Sequence, residues 1–99
     1  MLSVDFIKEQ IQQYFLTKPI SKAWIFGSYA RGEQTKDSDI DILVDFDPDN
    51  HLDLFSIASF IIDLENLFGT DVDLVDHSRI YPEIAQFIES DKILIYERN

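Results

Sequence analysis

The chain alternates between two hydrophobic periods. From Val4 to Leu16 the apolar positions Val4, Ile7, Ile11, Tyr14 and Phe15 recur at helical spacing, with Ser3 placed to cap and Asp5 in the first turn. Lys18-Pro19 ends that helix, because a residue before proline is pushed out of helical geometry. Ser21 to Phe26 reads as a first strand, Ser28 to Arg31 as a short helix or turn closed by Gly32, and Glu33 to Ser38 as a polar loop. Ile40 to Phe46 alternates strictly: Ile40, Ile42, Val44 and Phe46 face one side, while Asp39, Asp41, Leu43 and Asp45 face the other. After Asp47-Pro48-Asp49-Asn50 a second long helix is expected from about His51 to Phe68, capped by Asn50 and stopped before Gly69. Asp71 to Val75 forms a third strand. A last helix starts around residues 78–82, with Pro82 in its first turn, and runs to about Glu89, burying Ile84, Phe87 and Ile88. Lys92 to Tyr96 closes as a short edge strand. These elements predict one α+β domain over 1–99, a small mixed β-sheet with helices packed on one face and acids on the other.

The helix over 51–68 is greasier than a single buried stripe requires. Leu52, Leu54, Phe55, Ile57, Ala58, Phe60, Ile61, Ile62, Leu64, Leu67 and Phe68 cannot all face one core, so some must meet a second layer or another chain. Nineteen acidic against eight basic residues give a net charge of −11. Nucleic-acid binding rests on Lys and Arg neutralising phosphates, so this balance argues against direct binding of a nucleic-acid polymer. It favours divalent cations and a basic protein partner. There is no cysteine, hence no disulfide or thiolate metal site. The opening residues lack the regions of a secretory signal and no apolar run is long enough to span a bilayer, so a cytoplasmic protein is expected.

The candidate chemistry lies between the first two strands. Asp39 and Asp41 share a strand face about 7 Å apart, and two carboxylates that close repel unless something positive sits between them. A hard cation such as Mg²⁺ takes carboxylate and phosphate oxygens. Gly27 allows close backbone approach to a phosphate, and Ser28 adds a hydroxyl and an N–H at a helix start. On the third strand Asp71 and Asp73 share a face, Asp73 being the better candidate for a further carboxylate and Asp71, nearer the strand's start, the runner-up. Asp71, Asp45 and Asp76 otherwise read as surface decoration. Arg31 shares a helical face with Ser28 and can meet a phosphate, Asp39 or Glu33. Lys36 is a solvated loop residue, Trp24 a core or interface residue, and His51 and His77 stand without a second histidine at ligand spacing.

Gly27-Ser28, ten residues, then Asp39-x-Asp41 resembles the signature of the polymerase-β-like nucleotidyltransferase superfamily. The text GSYARG…SDIDILV is similar to its small bacterial and archaeal branch, the minimal nucleotidyltransferases. The resemblance covers residues 20 to 76 by motif. It implies a catalytic and metal-holding trio Asp39, Asp41 and Asp73, the last in an apolar-Asp-apolar strand matched by Val72-Asp73-Leu74. It implies nucleotide contacts from Gly27, Ser28 and Arg31, with ATP as substrate and Mg²⁺ as cofactor. Proteins of this type pair with a helical HEPN-type ribonuclease toxin, and the resemblance implies an antitoxin that moves AMP from ATP onto a hydroxyl of that partner. Two other readings stay open: an antitoxin that neutralises by contact alone, and a nucleotidyltransferase acting on a small molecule.

Overall fold

A computed structural model describes residues 2–48 and 53–98. Its elements run α1 (Val4–Phe15), β1 (Ile20–Phe26), α2 (Ser28–Arg31), β2 (Ile40–Phe46), α3 (Leu54–Phe68), β3 (Val72–Asp76), a 3-10 turn (His77–Arg79), α4 (Pro82–Asp91) and β4 (Ile93–Glu97). The strands form one sheet in the order β3-β2-β1-β4. β1 is antiparallel to both β2 and β4, whereas β2 and β3 are parallel, so the sheet is mixed and the fold α+β. A parallel neighbour requires a crossover long enough to return the chain to the same end, and α3 lies within it.

One face of the sheet builds the main core. Ala23 and Ile25 of β1, Ile40, Ile42 and Val44 of β2, Val72 and Ile95 pack with Ile7, Ile11 and Phe15 of α1 and with Phe60, Leu64 and Phe68 of α3. The alternation in β2 decides this directly, since its even-numbered residues enter this cluster. The odd-numbered ones point across the sheet, where Leu43 joins Trp24 and Ile88 in a smaller cluster edged by Phe26, Val75 and Ile80. Helices α1 and α3 therefore cover one face as expected, and α4 lies on the face that carries the acids.

Burial in α4 differs from the expectation. Ile88 is 6% exposed, whereas Ile84 is 50% and Phe87 65% exposed. The reason is the surface beneath: the acid face offers only Trp24, Leu43 and their neighbours as apolar contacts, wide enough for one anchoring side chain. The start of α3 also differs. Asp53, not Asn50, is the cap of the described helix, its carboxylate accepting from the Ser56 N–H at 2.8 Å. The expected contributions of Asn50, His51 and Leu52 lie outside the described residues. At its other end α3 stops at Gly69, whose φ of 68° is left-handed and whose N–H donates to the Glu65 carbonyl. Arg98 ties the lower end of the sheet to α1, donating to the carbonyls of Phe15, Leu16 and Lys18 while pairing with Asp47. These contacts satisfy carbonyls that a helix terminus leaves without partners.

Candidate active site

The sheet places the turn and the acids at one end. Phe26, the last residue of β1, stands opposite Asp41, and Asp41 stands beside Asp73 in the parallel register of β2 and β3. Gly27 follows immediately, with φ 75° and ψ −151°, and starts α2. Only glycine occupies that backbone region readily. A side chain there would also collide with the Asp41 carboxylate, since a Cβ built on Gly27 meets Asp41 Oδ2. Ser28 is the first residue of α2, which closes at Gly32 in the left-handed region.

Asp39 is exposed just ahead of β2, and the loop before it is braced. Ser38 Oγ accepts from the Thr35 N–H at 2.8 Å, Thr35 Oγ1 accepts from the Asp37 N–H at 3.3 Å, and Thr70 Oγ1 donates to the Ser38 carbonyl at 3.3 Å. These hydroxyls fix where the strand and its acids begin, a role that sequence reading did not assign to them. Ser and Thr in a short polar loop are the available signal, because their side chains commonly bond nearby backbone.

Asp41 is the electrostatic centre. Partial burial, then the charges of Asp73 and Asp39, push its carboxyl up from 3.8 to about 6, while Arg31 pulls the other way. Asp71 is exposed before β3, and its carbonyl accepts from the Ile40 N–H at 3.0 Å, a backbone role at the strand start. Among the described residues no three acidic, cysteine or imidazole side chains converge closely enough to hold a metal ion as they stand. The shallow depressions lined by Leu16–Pro19 with Arg98, and by Lys8, Gln12 and Leu94–Glu97, do not include these acids.

Arg31 meets Glu33 as one expectation had it, with Nε 3.1 Å from Glu33 Oε2, and also Asp91 at the end of α4, with Nη1 2.8 Å from Oδ2. Asp45 and Asp76 are more than decoration. His77 Nδ1 lies 2.8 Å from Asp45 Oδ1, and Asp76 accepts from the Ser78 N–H at 3.0 Å to cap the 3-10 turn. Trp24 is buried beneath α4, with the Lys92 ammonium 4.6 Å from its ring centre and the His77 ring 5.0 Å away.

With a glycine turn and paired strand carboxylates at one sheet end, the comparison with known proteins is direct. Residues 9–99 match the model of the family described as polymerase beta, nucleotidyltransferase. The chain belongs to that family. A protein of Methanocaldococcus jannaschii, named as a candidate protein adenylyltransferase, is 44% identical over 72 residues, 72% of each chain. The protein adenylyltransferase MntA of Thermococcus cleftensis is 36% identical over 91 residues, 89% of this chain and 84% of its own. A chain from the structure of a tri-AMPylated Shewanella oneidensis HEPN toxin in complex with an MNT antitoxin superposes with a TM-score of 0.68 at 21% identity, covering 96% of this chain and 74% of its own. The α+β nucleotidyltransferase fold is thus shared well beyond recognisable sequence. As a nucleotidyltransferase the protein acts on a nucleotide substrate. Among the described residues, no helix is long and apolar enough to cross a membrane.

Proposed function

We propose that this protein is an adenylyltransferase antitoxin that moves AMP from ATP onto a hydroxyl of a HEPN-type ribonuclease toxin and so silences it. The observation that carries this reading is the pairing of Asp41 with Asp73 on adjacent strands, immediately beside the Gly27-Ser28 turn. The adenylyltransferase relatives and the toxin–antitoxin neighbour supply the reaction class and the kind of partner. Residues 1–99 are read as one minimal nucleotidyltransferase domain acting in the cytoplasm, where ATP and the partner meet.

Asp39, Asp41 and Asp73 would hold Mg²⁺. Their donors are all carboxylate oxygens, the set a hard cation prefers, and the crowding felt at Asp41 is what a cation relieves. When bound, Mg²⁺ neutralises charge on the triphosphate and on the departing pyrophosphate. The backbone N–H groups at Gly27 and Ser28 and the Ser28 hydroxyl hold the β- and γ-phosphates, and Arg31 adds positive charge beside them. The acceptor hydroxyl oxygen attacks the α-phosphorus, the bond to the bridging oxygen of the β-phosphate breaks, and pyrophosphate leaves with that electron pair. The hydroxyl proton passes to an Asp73 carboxylate oxygen and then to solvent, leaving AMP esterified to the partner. Exposed apolar residues on α3, led by Leu54 and Phe55, supply the surface that seats the partner.

Incubation of the purified pair with α-labelled ATP and Mg²⁺ tests the proposal. Label is expected on the partner with the wild-type protein and none with Asp39→Asn or Asp41→Asn. A partner that gains no label with the wild-type protein overturns the reading.

A further inference from the structure

Arg31 poses an electrostatic problem. It is a cation one helical turn beyond Gly27, its N–H donating to the Gly27 carbonyl at 3.1 Å, and Gly27 itself lies against the Asp41 carboxylate, in a site whose acids must remain open to a metal ion. A guanidinium is an excellent carboxylate partner, with planar donors matched to two oxygens. Left free one turn from Asp41, it would settle on that carboxylate and occupy oxygens that a divalent cation needs.

The structure directs it elsewhere. Glu33, two residues on, takes Nε at 3.1 Å, and Asp91, sixty residues away at the end of α4, takes Nη1 at 2.8 Å. Two edges of the guanidinium are therefore engaged, one by a neighbour in sequence and one by a remote residue. We propose that Glu33 and Asp91 form a bracket that holds Arg31 off the metal-binding carboxylates while keeping its charge beside the nucleotide phosphates. Both are positioning residues acting through Arg31. Asp91 has a second consequence: α4 lies over the acid face, so its C-terminal end sets the placement of a cation next to the turn. The loop acid Glu33 alone holds one edge of the fork, and the remote acid fixes its orientation.

This inference rests on the reading that Asp39, Asp41 and Asp73 hold the cation, and the test separates the two. Mn²⁺ serves as the probe, its binding to the full chain followed by electron paramagnetic resonance without nucleotide. Wild-type binding must fall on Asp41→Asn; if it does not, the reading of the metal site fails first. Given Asp41-dependent binding, Glu33→Gln with Asp91→Asn is expected to weaken Mn²⁺ binding about twofold to fivefold, the scale of competition from one partly exposed ion pair. Arg31→Gln in that background is expected to restore it, and to do so by a larger factor than the same substitution in the wild-type chain.

That comparison distinguishes a bracket from simple loss of negative charge. If the two acids act only through their own field, the effects add and Arg31→Gln gives the same factor in both backgrounds. Additive effects, or an unchanged affinity in the double variant, overturn the proposal. Melting curves without metal confirm that each variant is folded. As a second readout, transfer assays are expected to show the Mg²⁺ concentration for half-maximal rate rising in the double variant, with recovery at high Mg²⁺.

Discussion

A side chain at Gly27 meets two separate obstacles, the positive φ of 75° and the Asp41 carboxylate standing where a Cβ would go. Gly27→Val is therefore expected both to lower the melting temperature and to abolish transfer, whereas Ser28→Ala should leave the fold intact and slow transfer by about 10²-fold, the effect of one lost transition-state hydrogen bond. Melting curves beside labelled-ATP assays separate the two outcomes. The sequence marked Gly27 as a candidate for close phosphate approach, but Asp41 lies fourteen positions on, and only the sheet register brings it against the glycine. Asp41 itself carries a pH signature. Its carboxyl is raised to about 6 in the folded chain by burial and by Asp73 and Asp39, above the 3.8 of an ordinary aspartate. A raised acid favours the folded state most when protonated. Its contribution is fully present below the ordinary aspartate range and is lost as pH climbs through about 6. Asp41→Asn should accordingly melt higher than wild type at neutral pH, with the advantage shrinking as the solution is acidified through that window. Added Mg²⁺ should raise the wild-type melting temperature more at neutral than at acidic pH, because binding must displace the proton. Equal gains at both pH values would contradict this assignment of the metal site.

Among the elements, the two helices with surplus apolar residues differ in how well their patterns disclosed them. In α3 the surplus was visible by count: Phe60, Leu64 and Phe68 enter the core, which leaves Leu54 and Phe55 at 82% and 86% exposed, with Ile62 and Leu67 also outward. In α4 the spacing of Ile84, Phe87 and Ile88 matches a buried stripe, yet only Ile88 is buried. Periodicity reports which residues share a face, and the depth of the surface beneath belongs to the sheet. Here that surface is shallow because Asp41, Asp45 and Asp73 occupy much of it. Strand boundaries within a residue or so followed from alternation, while the antiparallel β1–β2 pairing emerges only in the sheet. The parallel β2–β3 direction was likewise not legible, since nothing local specifies which strand edge a crossover chain returns to. The distinction within α4 has a measurable result. Ile88→Ala should cost about 2–5 kcal/mol in denaturant unfolding, the range for truncating a buried aliphatic residue, while Phe87→Ser should stay within about 0.5 kcal/mol of wild type. Matching losses for both would mean that α4 buries its whole stripe.

At the scale of the whole molecule the candidate acids Asp41 and Asp73 and the apolar surface of α3 belong to opposite sides of the sheet. α3 packs on the even-numbered face of β2, whereas Asp41 and Leu43 look out from the odd-numbered one. Transfer and partner binding are thereby open to independent disruption. Large apolar side chains buried at an interface stabilise it by roughly 1.5–3 kcal/mol each, so Leu54→Ser with Phe55→Ser should weaken association by two orders of magnitude or more. The same pair should leave the melting temperature of the isolated protein near its original value, because both positions are exposed in the free chain. Asp73→Asn acts on the other side. It removes a carboxylate next to Asp41 without touching α3, so the complex should form and AMP addition should stop. Co-expression of each variant with the toxin, scored by growth and by the intact mass of the recovered toxin, distinguishes an enzyme from a contact inhibitor. In the enzymatic reading Asp73→Asn co-purifies with a toxin of unmodified mass and growth fails. Full protection by Asp73→Asn with the toxin still unmodified would mean that contact alone neutralises it, and the transfer chemistry would then need another role.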